Sequence, residues 1–333
     1  MGMRNTAGRR AAVGVAAAVL GAGLLGGPSG VPVRAEIRTL VAGAPTGAAA
    51  VGPVPTRAGE SGSEPSSPSS GSSSDRAQAA VAAAVAGLVA GRPADSVSIA
   101  AVDTTTGTRV GWGPNSGMTT ASVFKLLLLE GYLLQNQDCD QAPGEGESDA
   151  LTAMIENSGN DAANEVYGAL DSHTGVSSTL NRLGLSATVL GPDDQWGLST
   201  TSPADQVTLL TDLVSPQSPL SSASRTYALG LMTNVESDQR WGVGAAADPA
   251  CDPANKNGWL DVDDDGGRWV VNSVGVIQSG GHQVLLAVLT QHDADLADGT
   301  ALVESLSQSV TTSLRDPATG ANLEAVAGPQ THS

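Results

Sequence analysis

The stretch 256–290, KNGWLDVDDDGGRWVVNSVGVIQSGGHQVLLAVLT, decides the fold. It holds three runs rich in Val, Leu, Ile and Trp, at Lys256–Val262, Trp269–Ile277 and Gln283–Thr290. Asp263-Asp-Asp-Gly-Gly267 and Ser279-Gly-Gly-His282 separate them. Apolar runs of this length, broken by Asp, Gly and Ser, read as strands joined by tight turns. Two further β-type runs, Ser96–Val102 and Thr108–Gly113, flank the turn sequence Asp103-Thr-Thr-Thr-Gly107 far earlier in the chain. Between the two groups the spacing of apolar residues is helical, from Ala121 to Leu134 and again from about Ala150 to Met232. A helix from Asp75 to Gly91, with Asp75 as its N-cap, precedes the first strands, and one from about Thr300 to Leu314 follows the last. This order predicts an α/β (α+β) domain. One five-stranded antiparallel sheet is built from both ends of the domain and flanked by N- and C-terminal helices, with an all-helical subdomain inserted between the strands.

The 333 residues carry 34 acids and 16 bases, a net charge of -18. Binding to a phosphate backbone needs a basic stripe, so no nucleic-acid partner is expected. Only Lys125 and Lys256 among the bases are Lys. Arginine stays charged in a protein, whereas burial can tune a lysine into a base, so these two positions are where chemistry is sought.

Residues 1–35 read as a signal peptide: Arg4, Arg9 and Arg10 lead into the Ala-, Val- and Leu-rich run Ala11–Leu25, and Val33-Arg34-Ala35 offers a cleavage point. A secreted protein is therefore expected, with no stable membrane span after cleavage, or an N-terminally anchored one if the signal stays. Residues 36–76 are a Pro/Gly/Ser-rich linker, 77–316 the folded domain, and 317–333 a flexible tail.

In Thr120-Ala-Ser122-Val-Phe-Lys125 the Ser and Lys lie three apart at the start of an apolar helix, so the amine can reach the hydroxyl and take its proton. A Ser in the first turn also has free backbone N–H groups beside it that can hold an oxyanion. Lys256-Asn257-Gly258-Trp259 opens a strand, and its Gly allows a ligand close to the strand edge.

Ser122-x-x-Lys125, Ser158-Gly159-Asn160 and Lys256-Asn257-Gly258 resemble, in order, the S-x-x-K, S-D-N and K-T-G motifs of class A β-lactamases and penicillin-binding proteins. Ser158-Gly-Asn-Asp-Ala-Ala-Asn164 and Arg268-Trp-Val-Val-Asn-Ser-Val-Gly275 resemble the surroundings, and the likeness covers about 77–316. It implies that Ser122 is the acylated nucleophile, Lys125 its base, Ser158 a proton relay to the leaving nitrogen, and Lys256 a positive charge for the substrate carboxylate. Asn160 would bind the substrate amide, and the backbone N–H groups of Ser122 and Trp259 would form the oxyanion hole. Asn257 would donate to a carboxylate, and Arg268 falls where many class A enzymes keep a carboxylate-binding Arg. The resemblance implies a secreted serine hydrolase that opens a β-lactam amide. The alternatives are a D-Ala-D-Ala carboxypeptidase-like enzyme acting on cell-wall peptides, or a non-catalytic binding relative. No cofactor is expected, and the chain is expected to be a monomer.

The chain departs from the family at Gly159 and Asn257, and in the loop Leu183–Thr200, which contains no Glu where class A enzymes keep their deacylating one. Only Asp193 and Asp194 could activate water there, so slow deacylation is expected. His173, His282, His292 and His332 show no metal spacing, and no metal site is expected. Cys139 and Cys251 are the only cysteines, and an exported domain is expected to join them in a disulfide.

Overall fold

Alternation along one strand shows how the domain is layered. Val284, Leu286 and Val288 belong to one core cluster, and Leu285, Ala287 and Leu289 to another. Successive strand side chains point to opposite faces, so a sheet covered on both sides reads as a continuous apolar run. The computed structural model describes residues 73–315. The expected signal peptide, the linker up to residue 72 and the tail lie outside the described residues.

The chain runs from helix α1 (Ser73–Leu88) to strands β1 (Val97–Asp103), β2 (Arg109–Trp112) and β3 (Met118–Thr119). The helical block follows: α2 (Phe124–Asp138), α3 (Glu145–Glu156), α4 (Asn160–Ala169) and α5 (Ser172–Leu183), then β4 (Thr200–Thr201), α6 (Pro203–Val214) and α7 (Ser222–Thr233). Strands β5 (Ala254–Val262), β6 (Arg268–Ser279) and β7 (His282–Asp293) come next, and α8 (Leu296–Arg315) closes the domain. The main sheet is antiparallel in the order β2-β1-β7-β6-β5, so the last strand pairs beside the first. Helices α1 and α8 pack on one face through Val81, Val85, Val303, Leu306 and Val310, and the helical block fills the other. The five-stranded sheet assembled from both ends is as the sequence predicts. Among the described residues no helix is long and apolar enough to cross a membrane.

Three expectations change. The first helix begins at Ser73, so Asp75 lies inside its first turn rather than at its N-cap, and residues 73–76 of the expected linker are helical. The helix read from Ala121 begins instead with a 3₁₀ turn, Ala121–Val123, and becomes α-helical at Phe124. Ala121 has φ +45°, a left-handed conformation that costs energy in a residue with a β-carbon. The cysteines are not joined: Cys139, at the end of α2, is exposed, and Cys251 is a half-buried free thiol. Each is held by its own neighbours. The end of α2 is tied to the start of α7 by Gln137, which bonds Pro219 O and Ser221 N. Cys251 N donates to Asp248 O, and Asp248 grips Gly280 and Gly281 in the β6–β7 turn. Thiol titration of denatured, unreduced protein is therefore expected to find both thiols; finding none would restore the bridge.

Candidate active site

Ser122 sits where three elements meet. Thr120 N donates to Ser199 O at 2.8 Å, beside the short β3–β4 pair. Asn272 of β6, fully buried, donates through Nδ2 to Thr119 O at 2.8 Å and Thr120 O at 3.0 Å. Gly258 closes the third side: a β-carbon there would lie 2.6 Å from both Ser122 N and Val123 N, so only glycine lets β5 come this near. That contact places the N–H groups of Ser122 and Trp259 on neighbouring stretches of backbone. Asn272 escaped the sequence reading, because an Asn inside an apolar strand signals only burial, and its partners are 152 and 153 residues away.

Lys125, fully buried one helical turn from Ser122, lies at the centre of the cluster. Its Nζ is 2.9 Å from Ser122 Oγ, 2.7 Å from Ser158 O and 2.8 Å from Asn160 Oδ1, with Ser158 Oγ at 3.2 Å. A carbonyl and an amide oxygen can only accept, so they claim two of the amine's hydrogens. A neutral Lys125 then has its lone pair left for the Ser122 hydroxyl proton. Burial lowers its ammonium to about 8, within reach of neutral pH.

Ser158, at φ +56°, precedes α4. Its Oγ also accepts from Lys256 Nζ at 2.9 Å, and Lys256 donates to Asn257 O at 2.8 Å. Burial, reinforced by the charge of Lys125, pushes the Lys256 ammonium well below its ordinary value. Gly159 suits its position, since a β-carbon there would come within 3.1 Å of Ala153 O, while its own N–H donates to that oxygen at 2.9 Å.

The structure thus brings Ser122, Lys125, Ser158, Asn160, Lys256, Gly258 and the backbone of Trp259 together. Two expected residues go elsewhere. Asn257 is 1% exposed, and its amide hydrogens go to Gln239 O at 2.9 Å and Trp241 O at 3.2 Å, leaving none for a carboxylate. Strand alternation turns it away from the face used by Lys256 and Gly258. Arg268 pairs with Val262, whereas Gly258 pairs with Asn272, so it lies four residues, roughly 13 Å, along β6 from the Asn272 that holds the Thr119–Thr120 backbone. It is exposed and donates to His292 O at 3.0 Å.

The loop read for a water-activating acid holds none near the amine. Asp193 and Asp194 are exposed, both at positive φ, and Asp194 accepts from Tyr167 Oη at 2.9 Å. Trp196 turns inward instead. Its ring stacks on Phe124 at 6.2 Å and stands 5.1 Å from Lys125 Nζ, and its Nε1 donates to Asn164 Oδ1 at 2.8 Å. His282 and His292 bond Asp103 at 2.8 Å and Asp265 at 2.6 Å, His173 is exposed, and among the described residues no serine hydroxyl joins either His–Asp pair. Among the described residues no group of His, Cys, Asp and Glu could hold a metal.

The comparisons with known proteins agree with this fold. No curated protein matches the chain in sequence. Among solved structures, PBP-A superposes with a TM-score of 0.61 at 18% identity, over 72% of this chain and 96% of that one. The TLA-1 extended spectrum β-lactamase gives 0.64 at 16%, over 72% and 99%. A representative class A β-lactamase from Bacteroides cellulosilyticus DSM 14838 gives 0.62 at 15%, over 72% and 98%. These likenesses are of fold. The sequence model of the Beta-lactamase enzyme family matches residues 147–314, half of the chain, and with that match this protein belongs to the Beta-lactamase enzyme family.

Proposed function

We propose that the protein is a secreted serine hydrolase that is acylated at Ser122 by β-lactams and releases the acyl group slowly. The supporting observation is the Lys125 amine, with Ser122 Oγ at 2.9 Å and two acceptor-only oxygens saturating its other hydrogens. In this reading neutral Lys125 takes the Ser122 proton as Oγ attacks the lactam carbonyl. The N–H groups of Ser122 and Trp259 hold the oxyanion. Ser158, hydrogen-bonded to both lysines, passes a proton to the departing nitrogen, completing the opened ring on Ser122.

Release of the acyl group needs a base that activates water. Trp196 fills the space beside Lys125 where such a carboxylate would act; Asp193 is exposed, and Asp194 is engaged by Tyr167. A variant of PBP-A, similar in fold with a TM-score of 0.60, is described as an acyl-enzyme complex with penicillin G. The Arg-led, Ala-rich N-terminus supports export.

Intact mass after mixing with penicillin tests the reading. One long-lived adduct is expected, absent in Ser122→Ala; rapid multiple turnover with no trapped adduct rules out slow release. Trp196→Glu places a carboxylate beside Lys125 and is expected to shorten the adduct's lifetime about tenfold. An unchanged lifetime would count against Trp196 as the excluder of water. The second reading, a carboxypeptidase acting on cell-wall peptides, predicts release of D-Ala from a peptide in preference to hydrolysis of a chromogenic cephalosporin.

A further inference from the structure

Asn160, Asn164 and Tyr167 follow one another on α4 at helical spacing, so they share one face of the helix. Each holds one part of the site. Asn160 accepts from Lys125, Asn164 accepts from Trp196 Nε1 at 2.8 Å, and Tyr167 Oη donates to Asp194 Oδ1 at 2.9 Å. Among the described residues, the last two are the hydrogen bonds that join the 190–199 loop to α4. Tyr167 is 6% exposed, and burial together with the Asp194 carboxylate raises its phenol to about 12, so it stays a donor at any working pH.

The loop is built in two halves. Its base is closed by Val189 N and Thr200 N, each donating to the other's carbonyl, and its second half is fixed to the nucleophile turn, where Thr120 N donates to Ser199 O at 2.8 Å. Thr120 Oγ1 lies 3.4 Å from Gly197 O and 3.5 Å from Trp196 O, so the fixed part begins at the Trp196 carbonyl. The first half is strained. Asp193 has φ +50° and Asp194 φ +59°, two successive left-handed residues with β-carbons, and a β-carbon on Gly191 would lie 2.3 Å from Gln195 O. A curl of this kind persists only where its surroundings enforce it. Tyr167 and Asn164 are those surroundings on the α4 side, and on the other the Trp196 ring lies against Phe124 beside Lys125.

Without Tyr167 the strained tip is free to relax about a hinge at Trp196. The indole would then leave Lys125, while Thr120 and Ser122 keep the bonds that place them. That separates the two half-reactions. Attack on the substrate needs Lys125 and Ser122 in register; release needs water beside the same amine.

We propose that Tyr167 and Asn164 are positioning residues that set the lifetime of the acyl-enzyme: through Asp194 and Trp196 they hold the 192–196 segment as a shutter that keeps water from Lys125. The proposal rests on the acyl-Ser122 reading. With the shutter open, neutral Lys125 takes a proton from water as the water oxygen bonds the acyl carbon. The ester bond to Ser122 Oγ then breaks, and Lys125 returns the proton to that oxygen.

Tyr167→Phe, Asp194→Ala and Asp194→Asn, each in the full chain, test it with benzylpenicillin. Stopped flow with a fluorescent penicillin reads acylation, and intact mass against time reads release. Loss of one hydrogen bond is expected to shorten the adduct's lifetime roughly fivefold in Tyr167→Phe and in Asp194→Ala, with acylation changed by less than about twofold. Asp194→Asn keeps an acceptor for the Tyr167 hydroxyl and is expected to keep the wild-type lifetime. Acrylamide is expected to quench the fluorescence of Tyr167→Phe more than that of the wild type, a difference that disappears when both carry Trp196→Phe. Near-ultraviolet circular dichroism checks each fold; Asp194 is exposed, so its variants carry the test if Tyr167→Phe does not fold. Lifetimes unmoved in folded variants, or acylation slowed along with the change in release, overturn the shutter. An Asp194→Asn adduct that outlives the wild-type one makes Asp194 the water-activating base and overturns it as well. Failure of the wild type to form any adduct overturns the acyl-Ser122 reading, and the shutter with it.

Discussion

Replacing Lys125 by Arg is expected to slow acylation of Ser122 by penicillin roughly a thousandfold, as much as Lys125→Ala does. The lone pair of the Lys125 amine decides the outcome. Ser158 O and Asn160 Oδ1 take two hydrogens, and the remaining position of the nitrogen faces Ser122 Oγ. A charged amine can only donate to that oxygen; a neutral one can accept its proton. Arginine keeps the positive charge and never offers the lone pair. If charge alone were needed, Arg would rescue what Ala loses. The wild-type protein supplies the companion result. Burial places the Lys125 ammonium at about 8, below its ordinary 10.5, so the basic form grows as pH rises through that value. The acylation rate is expected to climb between pH 6 and 8.5 and then level off. Stopped-flow quenching with a fluorescent penicillin measures both, and a flat profile or an active Lys125→Arg would remove Lys125 as the base.

The strands and the Ser122–Lys125 pair could be read from the sequence, whereas their second neighbours could not, and the reason is physical. The strands of 256–290 carry their own alternation and their own Gly- and Asp-rich turns, so local pattern alone places them. Ser122 and Lys125 are three residues apart, and helical geometry brings them together whatever the rest of the chain does. Ser158 and Lys256 depend on distant parts of the chain, and only the order of the three motifs marks them. Asn257 shows where that help ends. The motif marks its position, but its side chain follows the pleat of β5 and the 239–243 turn, neither of which the motif encodes. Arg268 fails for a related reason: the β5–β6 hairpin runs four pairs beyond Gly258 and carries the Arg away with it. Trp196 is legible as a residue of a loop without Glu, but its inward turn depends on Phe124 and Asn164, from two different helices. The disulfide expectation came from compartment rather than geometry, and separate local anchors keep the two thiols apart.

Glu130→Met is expected to stabilise the folded protein at pH 8 by about 1–3 kcal/mol, a gain of several degrees in Tm for a domain of this size. Glu130 lies on α2, five residues beyond Lys125, fully buried, and neither carboxyl oxygen has a hydrogen-bond partner. Burial, with a smaller contribution from nearby Asp212, raises its carboxyl well above the ordinary value, so the folded protein holds it protonated where the unfolded chain would release the proton. Asp212, on α6, is itself raised by burial to about 6. Both carboxyls therefore act in the same direction. Their contribution to stability is fully present below the unfolded values near 4, and it is lost as pH rises through the higher folded values. Wild-type stability is expected to decline from pH 5 to pH 8 on this account. Methionine has similar length and no charge to desolvate, and nothing bonded to Glu130 is orphaned by its removal. Thermal unfolding of both proteins at pH 5 and pH 8 separates the possibilities. The gain should be small at the lower pH and larger at the higher one, leaving the variant with the shallower pH dependence. A variant less stable than wild type at pH 8 would mean that Glu130 is bound by a partner that its burial hides, and that the site between α2 and α6 is polar by construction.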